Sequence, residues 1–240
     1  MKISIVVPVR NEEDNISDVV RKIEESIGLE HELIVVNDHS QDNTSAIVKK
    51  LIPVYPRLRL VDNTNLPGFA SALKFGFSKI TGDVFVPVMG DLCDDLSTIS
   101  KMVDKINEGY DIVCGSRYIK DGKRLGGSKF KGFLSSAAGW SLYHLLGIPT
   151  HDIANAFKMY RSCILSGTSF DSVGFELSME IPLKSFYRGF KITEVPTVWK
   201  ERKKGKSHFK IFKLLPSYLK LYAWALLKRM EKILCPNCQL

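Results

Sequence analysis

The chain has 240 residues, 45% of them hydrophobic and 25% charged, which is ordinary for a globular protein of one large domain, or one domain plus an extension. Its formal net charge is +8, but eleven Lys and Arg against two acids fall between Lys200 and Lys232, leaving 23 bases and 24 acids elsewhere. The basic excess therefore marks one surface and argues against a nucleic-acid partner. Five cysteines form no framework of a small secreted fold, and Met1 to Val9 enters a strand pattern with no cleavage site, so the chain reads as cytoplasmic.

In chain order, Ile3 to Val9 is apolar and β-branched, a first buried strand. Arg10 to Asn15 is a polar turn, and Ile16, Val19, Val20 and Ile23 recur at helical spacing. Glu32 to Val36 is a second strand, followed by a turn at Asn37–Thr44 and a helix. Leu58 to Val61 is a third strand, and a helix runs from about Asn65 to Ile80. Val84 to Val88 is a short apolar run suited to a central parallel strand. Leu96 to Asn107 is helical by spacing, Ile112 to Gly115 is a strand, and Asp121 to Ser128, rich in glycine and lysine, reads as a mobile loop. Gly132 to Thr150 holds no Asp, Glu, Lys or Arg; Ser135, Ser136, Ser141 and His144 suit a helix under a membrane surface or in the core better than a bilayer span.

Residues 151–161 read as a polar loop entering a strand. Phe175 to Phe186 is a helix with Glu176 and Glu180 on one face, and Ile192 to Val198 is a last strand. A basic loop from Lys200 leads to an amphipathic helix or helix pair at Ile211 to Leu234, broken near Pro216, which lies on a membrane surface or packs on the sheet. Cys235 and Cys238 form a single C-x-x-C, too few ligands for structural zinc, and read as a tail. Alternating strands and helices predict an α/β fold with a mainly parallel sheet.

The stretch Phe85–Asp95 is the most informative. A buried strand runs into Asp91, Asp94 and Asp95, whose charge cannot follow the valines into the interior. At the carboxyl end of a parallel strand such carboxylates face a crevice, where they suit a hard divalent cation that also holds phosphate. The alternative is that Asp94 or Asp95 caps the helix that follows. Asp38, at the end of the second strand, either accepts hydrogen bonds from a ribose or base or closes an Asx turn. A Rossmann dehydrogenase is disfavoured, since Arg-Asn-Glu-Glu and not a glycine-rich turn follows the first strand.

Taken in order, Val6-Val7-Pro8-Val9-Arg10-Asn11-Glu12-Glu13, Asn37 to Thr44, Gly90-Asp91 and Gly115-Ser116-Arg117-Tyr118 resemble the family-two glycosyltransferases of the GT-A fold, and within them the dolichyl-phosphate mannose synthase group. Asp152 with Phe157-Lys158-Met159-Tyr160-Arg161, Gly174-Phe175 with Glu180, and Glu194-Val195-Pro196 before Arg202 and Gly205 extend the likeness over roughly residues 1–210, with 211–240 as a basic amphipathic helical extension and tail.

The resemblance implies an inverting transfer of a sugar from a nucleotide-diphosphate sugar to a polyprenyl phosphate. Pro8, Arg10, Glu12, Asp38 and Gly90 would line the nucleotide pocket, with Asp91, aided by Asp94, holding Mg2+ or Mn2+ on the diphosphate. Arg117, Lys131 and Arg202 would neutralise phosphate, and His208, where the family pattern has a lysine, would join Arg202 in binding the nucleotide sugar. A peripheral place on the cytoplasmic face of a membrane, through the basic C-terminal segment, fits such an acceptor. Departures are visible: Met89 replaces the first acid of the metal motif, Asn37 replaces one aspartate of a pair, and Lys131 replaces an arginine. The alternatives are transfer to a sugar hydroxyl, with Asp94, Asp95 or Asp152 as base, or a weakly active nucleotide-sugar binder.

Overall fold

β-Branched and apolar residues make the centre of the molecule a sheet buried on both faces. In the computed structural model, which describes residues 1–201 and 211–234, the strands are β1 (Ile3–Val9), β2 (His31–Asn37), β3 (Leu58–Asp62), β4 (Val84–Pro87), β5 (Ile112–Ser116), β6 (Lys123–Leu125), β7 (Lys158–Arg161), β8 (Ile192–Pro196) and β9 (Val198–Lys200). The helices are α1 (Ile16–Ser26), α2 (Thr44–Leu51), α3 (Phe69–Phe77), α4 (Thr98–Asn107), α5 (Lys129–Leu146), α6 (Leu177–Tyr187) and α7 (Ile211–Leu234). Seven strands form one sheet in the order β3-β2-β1-β4-β7-β5-β8. Only β7 runs against the others, so the sheet is mainly parallel, as the alternation of elements predicts.

This topology decides where chemistry can sit. The strand order reverses between β1 and β4, which places a crevice at their carboxyl ends. The reversed β7 brings residues 151–157, which precede it, to the same edge as the residues following β5. Apolar clusters fill both faces of the sheet, one around Ile5, Val20 and Met102, the other around Val6, Phe85 and Tyr160, whose rings stack 4.9 Å apart. A third cluster joins α5, α6 and α7 through Leu142, Met179 and Ala225.

The structure corrects several sequence expectations. The stretch 121–128 holds β6, because the Lys123 N–H donates to the Thr197 carbonyl (3.0 Å) and starts a parallel pairing with β9. The strand expected over 192–198 divides: Pro196 closes the β5 pairing, and the buried Thr197 turns the chain so that β9 leaves the main sheet. The helix after the Asp91 region starts at Thr98 rather than Leu96, since Asp95 Oδ1 accepts the Ser97 N–H (3.1 Å) in an Asx turn first. The glycine- and serine-rich helix starts at Lys129, three residues early, behind a Ser128 cap, and ends at Gly147.

α7 is one helix running through Pro216, not a pair. Its packing outweighs the one backbone bond the proline removes: Ala225 is fully buried, and the Tyr187 hydroxyl donates to the Ala225 carbonyl (2.7 Å). α5 both packs inward and faces out. Gly139 lies so close to the loop before β7 that any Cβ would collide with the His151 carbonyl, while Phe133, Trp140 and Leu145 are exposed. Among the described residues, no helix is long and apolar enough to cross a membrane.

Candidate active site

Three chain reversals define the crevice. Asn11 after β1, His39 after β2 and Leu92 after β4 adopt left-handed backbone angles, with φ of 55°, 57° and 54°. Asparagine and histidine tolerate that region, but for leucine it is costly, a local strain of the kind that collects at functional sites. The turns after β1 and β2 are laced together. Asn11 N–H donates to Ser40 Oγ (3.0 Å), Gln41 N–H to Asn11 Oδ1 (2.8 Å) and Glu12 N–H to Thr44 Oγ1 (2.8 Å). Gly90 closes against this knot: a Cβ there would stand 3.7 Å from the Pro8 carbonyl and 4.0 Å from Glu12 Cγ. Pro8, Glu12 and Gly90 are thus neighbours, with Arg10 exposed at their margin.

Asp38 is 4% exposed, and both carboxylate oxygens are engaged. Oδ1 accepts from Asn63 Nδ2 (2.8 Å) and Oδ2 from the Gly68 N–H (2.9 Å). Its structural work is to hold the entry to α3 against the end of β2. Like Pro8, Glu12 and Gly90, it lies outside the lining of the cavity that Asp91 faces.

That cavity, about 1040 Å³, opens beyond β4 and is walled by α5, α6, α7 and β9. At one end are Met89, Asp91 and Asp94, with Arg117 and Lys131 on its walls. Asp91 Oδ1 accepts the Cys93 N–H (3.2 Å), and Asp94 is pulled inward because its backbone bridges to Trp199. Burial, then the neighbouring Asp91 charge, pushes the Asp94 carboxyl up to about 7.

Arg117 is committed. Its Nε donates to Asp152 Oδ2 (2.7 Å), its Nη2 to Asp152 Oδ1 (2.8 Å) and to Ser135 Oγ (3.2 Å), and its own N–H to Asp152 Oδ2 (3.0 Å). Against the cost of burial, this fully buried partner raises the guanidinium pKa further, so the group is a fixed cation. The Nε–Nη2 edge of Arg117 thus grips Asp152, and the guanidinium brings its fixed charge to the cavity wall. Asp152, for its part, is spent as a counter-ion and is no free base.

Lys158, also fully buried, donates to the carbonyls of Ile153 (2.8 Å), Ser178 (3.1 Å) and Asn155. Burial lowers its pKa, yet three acceptors on one nitrogen match the three donors of an ammonium. It pins the loop that carries Asp152 and Asn155 to α6. Glu176 and Glu180 turn the other way. Glu176 Oε1 accepts the Gly174 N–H (3.0 Å), and Glu180 accepts the Asp171 and Ser172 N–H groups (2.8 and 2.9 Å), shaping the loop ahead of α6.

Beyond the charged end the cavity turns apolar, with Leu134, Trp140, Met179, Leu215, Tyr218 and Tyr222 on its sides. Sequence reasoning missed these because they come from three helices far apart in the chain. It also missed Arg124, which fell in the expected loop at 121–128, and Trp199, which lay just past the expected last strand. Arg202, His208, Cys235 and Cys238 lie outside the described residues.

The donor set can be tested against a divalent cation on its own bonding. Asp94 Oδ1 is buried with no hydrogen-bond partner, which is costly unless a cation completes it. Met89 offers a thioether, a poor ligand for magnesium or manganese. Among the described residues, no cluster of three or more His, Cys, Asp and Glu is placed to hold a metal. Asp91 and Asp94 thus fit a cation that draws its other ligands from phosphate oxygens and water, as magnesium commonly does.

Comparison with known proteins agrees with this geometry. A family model described as Glycosyl transferase family 2 matches residues 4–166. The chain is 32% identical over 232 residues to a dolichol-phosphate mannosyltransferase of Pyrococcus furiosus, an alignment covering 93% of this chain but only 64% of that relative's length. It is 26% identical over 235 residues to a polyprenol monophosphomannose synthase of Mycolicibacterium smegmatis, covering 95% of this chain and 88% of the relative. The crystal structure of glucosyl-3-phosphoglycerate synthase from Mycobacterium tuberculosis, in complex with Mn2+, UDP and glucosyl-3-phosphoglycerate, shares the fold. The TM-score is 0.69 at 20% identity, over 95% of this chain and 79% of that one. The GT-A architecture expected from the resemblance is thus the one found. With more than half of its length matched, and with its strand-end carboxylates gathered at the reversal of the sheet, this chain belongs to glycosyl transferase family 2.

Proposed function

We propose that the chain transfers a sugar, with inversion, from a nucleotide-diphosphate sugar to a polyprenyl phosphate at a membrane surface. The observation that carries this reading is the cavity itself: carboxylates and cations at one end, a long apolar wall at the other. An amphiphile with a phosphate head and a hydrocarbon chain matches both ends. The names of the two curated relatives support the same substrate class, and the manganese in the structural neighbour supports a divalent cation on the donor.

In this mechanism Pro8, Glu12 and Gly90 border the nucleotide, and Asp91 and Asp94 would hold the cation. When bound, the cation neutralises charge on the leaving diphosphate. An oxygen of the acceptor phosphate attacks the anomeric carbon as the bond from that carbon to the diphosphate oxygen breaks. A phosphate monoester has its second pKa near about 6, so the nucleophile is already anionic and needs no strong general base. What the site must do is hold two anions together; Arg117 and Lys131 supply the positive field, and Arg202 is the further cation the sequence offers for it. Transfer to a sugar hydroxyl fits less well: Asp152 is spent on Arg117 and Asp95 on a turn, leaving Asp94 as the sole candidate base.

Exposed Phe133 and Trp140 on α5 line this region; they, with exposed Leu145 on α5 and Leu227, Met230 and Ile233 further along α7, suit shallow contact with a lipid surface. The test is incubation with radiolabelled nucleotide sugars, a polyprenyl phosphate and Mn2+, followed by organic extraction. Label in the lipid fraction is expected; label only in water-soluble products would overturn the reading.

A further inference from the structure

We infer that Arg124 is a further anion-binding residue of this cavity, holding the phosphate head of the acceptor. The inference rests on the reading of that acceptor as a prenyl phosphate. β6 alternates, with Lys123 and Leu125 exposed and Arg124 turned into the cavity. In the parallel pairing Arg124 lies opposite Trp199, and its guanidinium carbon stands 5.1 Å from the indole ring centroid.

The seat is shaped by two glycines. A Cβ on Gly132 would come within 2.8 Å of Nη1. A Cβ on Gly127, where φ is +73°, would crowd Nη2 and stand 3.2 Å from the indole. The guanidinium is therefore held between a tryptophan face and two positions with no side chain. Yet Arg124 makes no side-chain hydrogen bond or ion pair with any described residue; the Trp199 contact is its one side-chain partnership.

The contrast with Arg117 is the core of the argument. Both line one cavity, but Arg117 spends its fork on Asp152 while Arg124 keeps up to five donors unspent. Glu201, an acid of the same cavity lining, is occupied in part: its Oε2 accepts the Gly127 N–H (2.9 Å). A half-buried guanidinium, fixed by stacking and without a carboxylate partner, is suited to bidentate contact with a phosphate.

Position selects which phosphate. Gly132, against the Arg124 fork, is in the first turn of α5, an 18-residue helix with no acid in that turn. That end of the helix favours negative charge and also carries Lys131. Further along the same helix, Leu134 and Trp140 begin the apolar wall. A phosphate head at the start of α5 therefore lets the hydrocarbon chain follow the helix. The donor diphosphate has its own place at Asp91 and Asp94.

Calorimetry reads the two anion sites separately and needs no turnover. Citronellyl phosphate would probe one site, and GDP or UDP with Mn2+ the other, on wild type, Arg124→Gln and Arg124→Lys. Losing a charge-assisted contact should weaken citronellyl phosphate about 10- to 100-fold in Arg124→Gln. Arg124→Lys should recover part of this, and nucleotide affinity should stay within about twofold. Unchanged citronellyl phosphate binding in both variants would overturn the assignment, as would a parallel loss of nucleotide binding, which would move the guanidinium to the donor diphosphate. Should Arg124→Gln melt early, Arg124→Lys decides alone: it keeps the charge and removes the fork, so several-fold weaker binding is expected and equal binding overturns it. Wild type that binds citronellyl phosphate but transfers no sugar to it would instead strike at the proposed function and leave the Arg124 site standing.

Discussion

The two ends of the cavity region are built from different materials. The rim at the ends of β1 and β2 is made of short turns whose side chains bond to each other's backbone, Asn11 to Gln41 and Asp38 to Gly68 among them. The wall of α5, α6 and α7 is mostly apolar, and of the arginines that reach the same cavity one is locked, Arg117 after β5, and one is left open, Arg124 on β6. The difference teaches where precision is needed. A nucleotide has many fixed polar atoms and calls for a pre-bonded frame, whereas a prenyl chain asks only for grease and one anchored anion.

The sharpest way to break this comparison is to remove the lock on the wall. Asp152→Ala leaves Arg117 buried without its counter-ion, and breaking such a pair costs about 3–5 kcal/mol. A large drop in denaturant midpoint, with activity lost alongside, is expected; a midpoint within error of wild type would mean that the wall does not depend on the pair. At the other end, Asp91→Ala should leave the fold intact but lower kcat/KM by about 10²–10³-fold. The donor-induced rise in melting temperature should vanish with it, since stabilisation by a ligand follows its affinity. A variant that kept the donor shift would show that the rim binds nucleotide sugar without the carboxylate.

The smallest effect lies at the seam. Asp94 is held at about 7 in the fold against the ordinary aspartate value of 3.8, so between about pH 4 and 7 the folded protein keeps a proton that the unfolded chain releases. The stability contribution of this group is therefore greatest in acid and is lost as pH rises through that window. Metal-free protein should lose part of its stability from pH 4 to 7, and Asp94→Asn should flatten that slope. A slope identical in both proteins would place the titration elsewhere.

How much of this was legible beforehand follows the same divide. Strand-end motifs such as Gly90-Asp91 and Asn37-Asp38 are local, so a run of valines followed by acids announces both a strand and the end of it. The apolar wall is non-local. Nothing near Leu134 signals that it will face Leu215, and nothing in Lys123-Arg124-Leu125 signals a strand until Thr197 offers a carbonyl. Arg117 was only half legible for a related reason. A charged side chain at a strand end reads as available, and only the fold shows that the reversed β7 delivers Asp152 to its fork. Even Pro216, a helix breaker by its chemistry, yielded to packing on both sides of it.

The unbroken course of α7 has a practical consequence. Its early turns supply Leu215, Tyr218 and Tyr222 to the chamber, while its far end leaves Met230, Ile233 and Leu234 exposed. Trimming the chain ahead of α7 to improve handling would strip one side off the cavity. Replacing only the greasy residues of the last two turns with polar ones would keep that side in place while easing solubility.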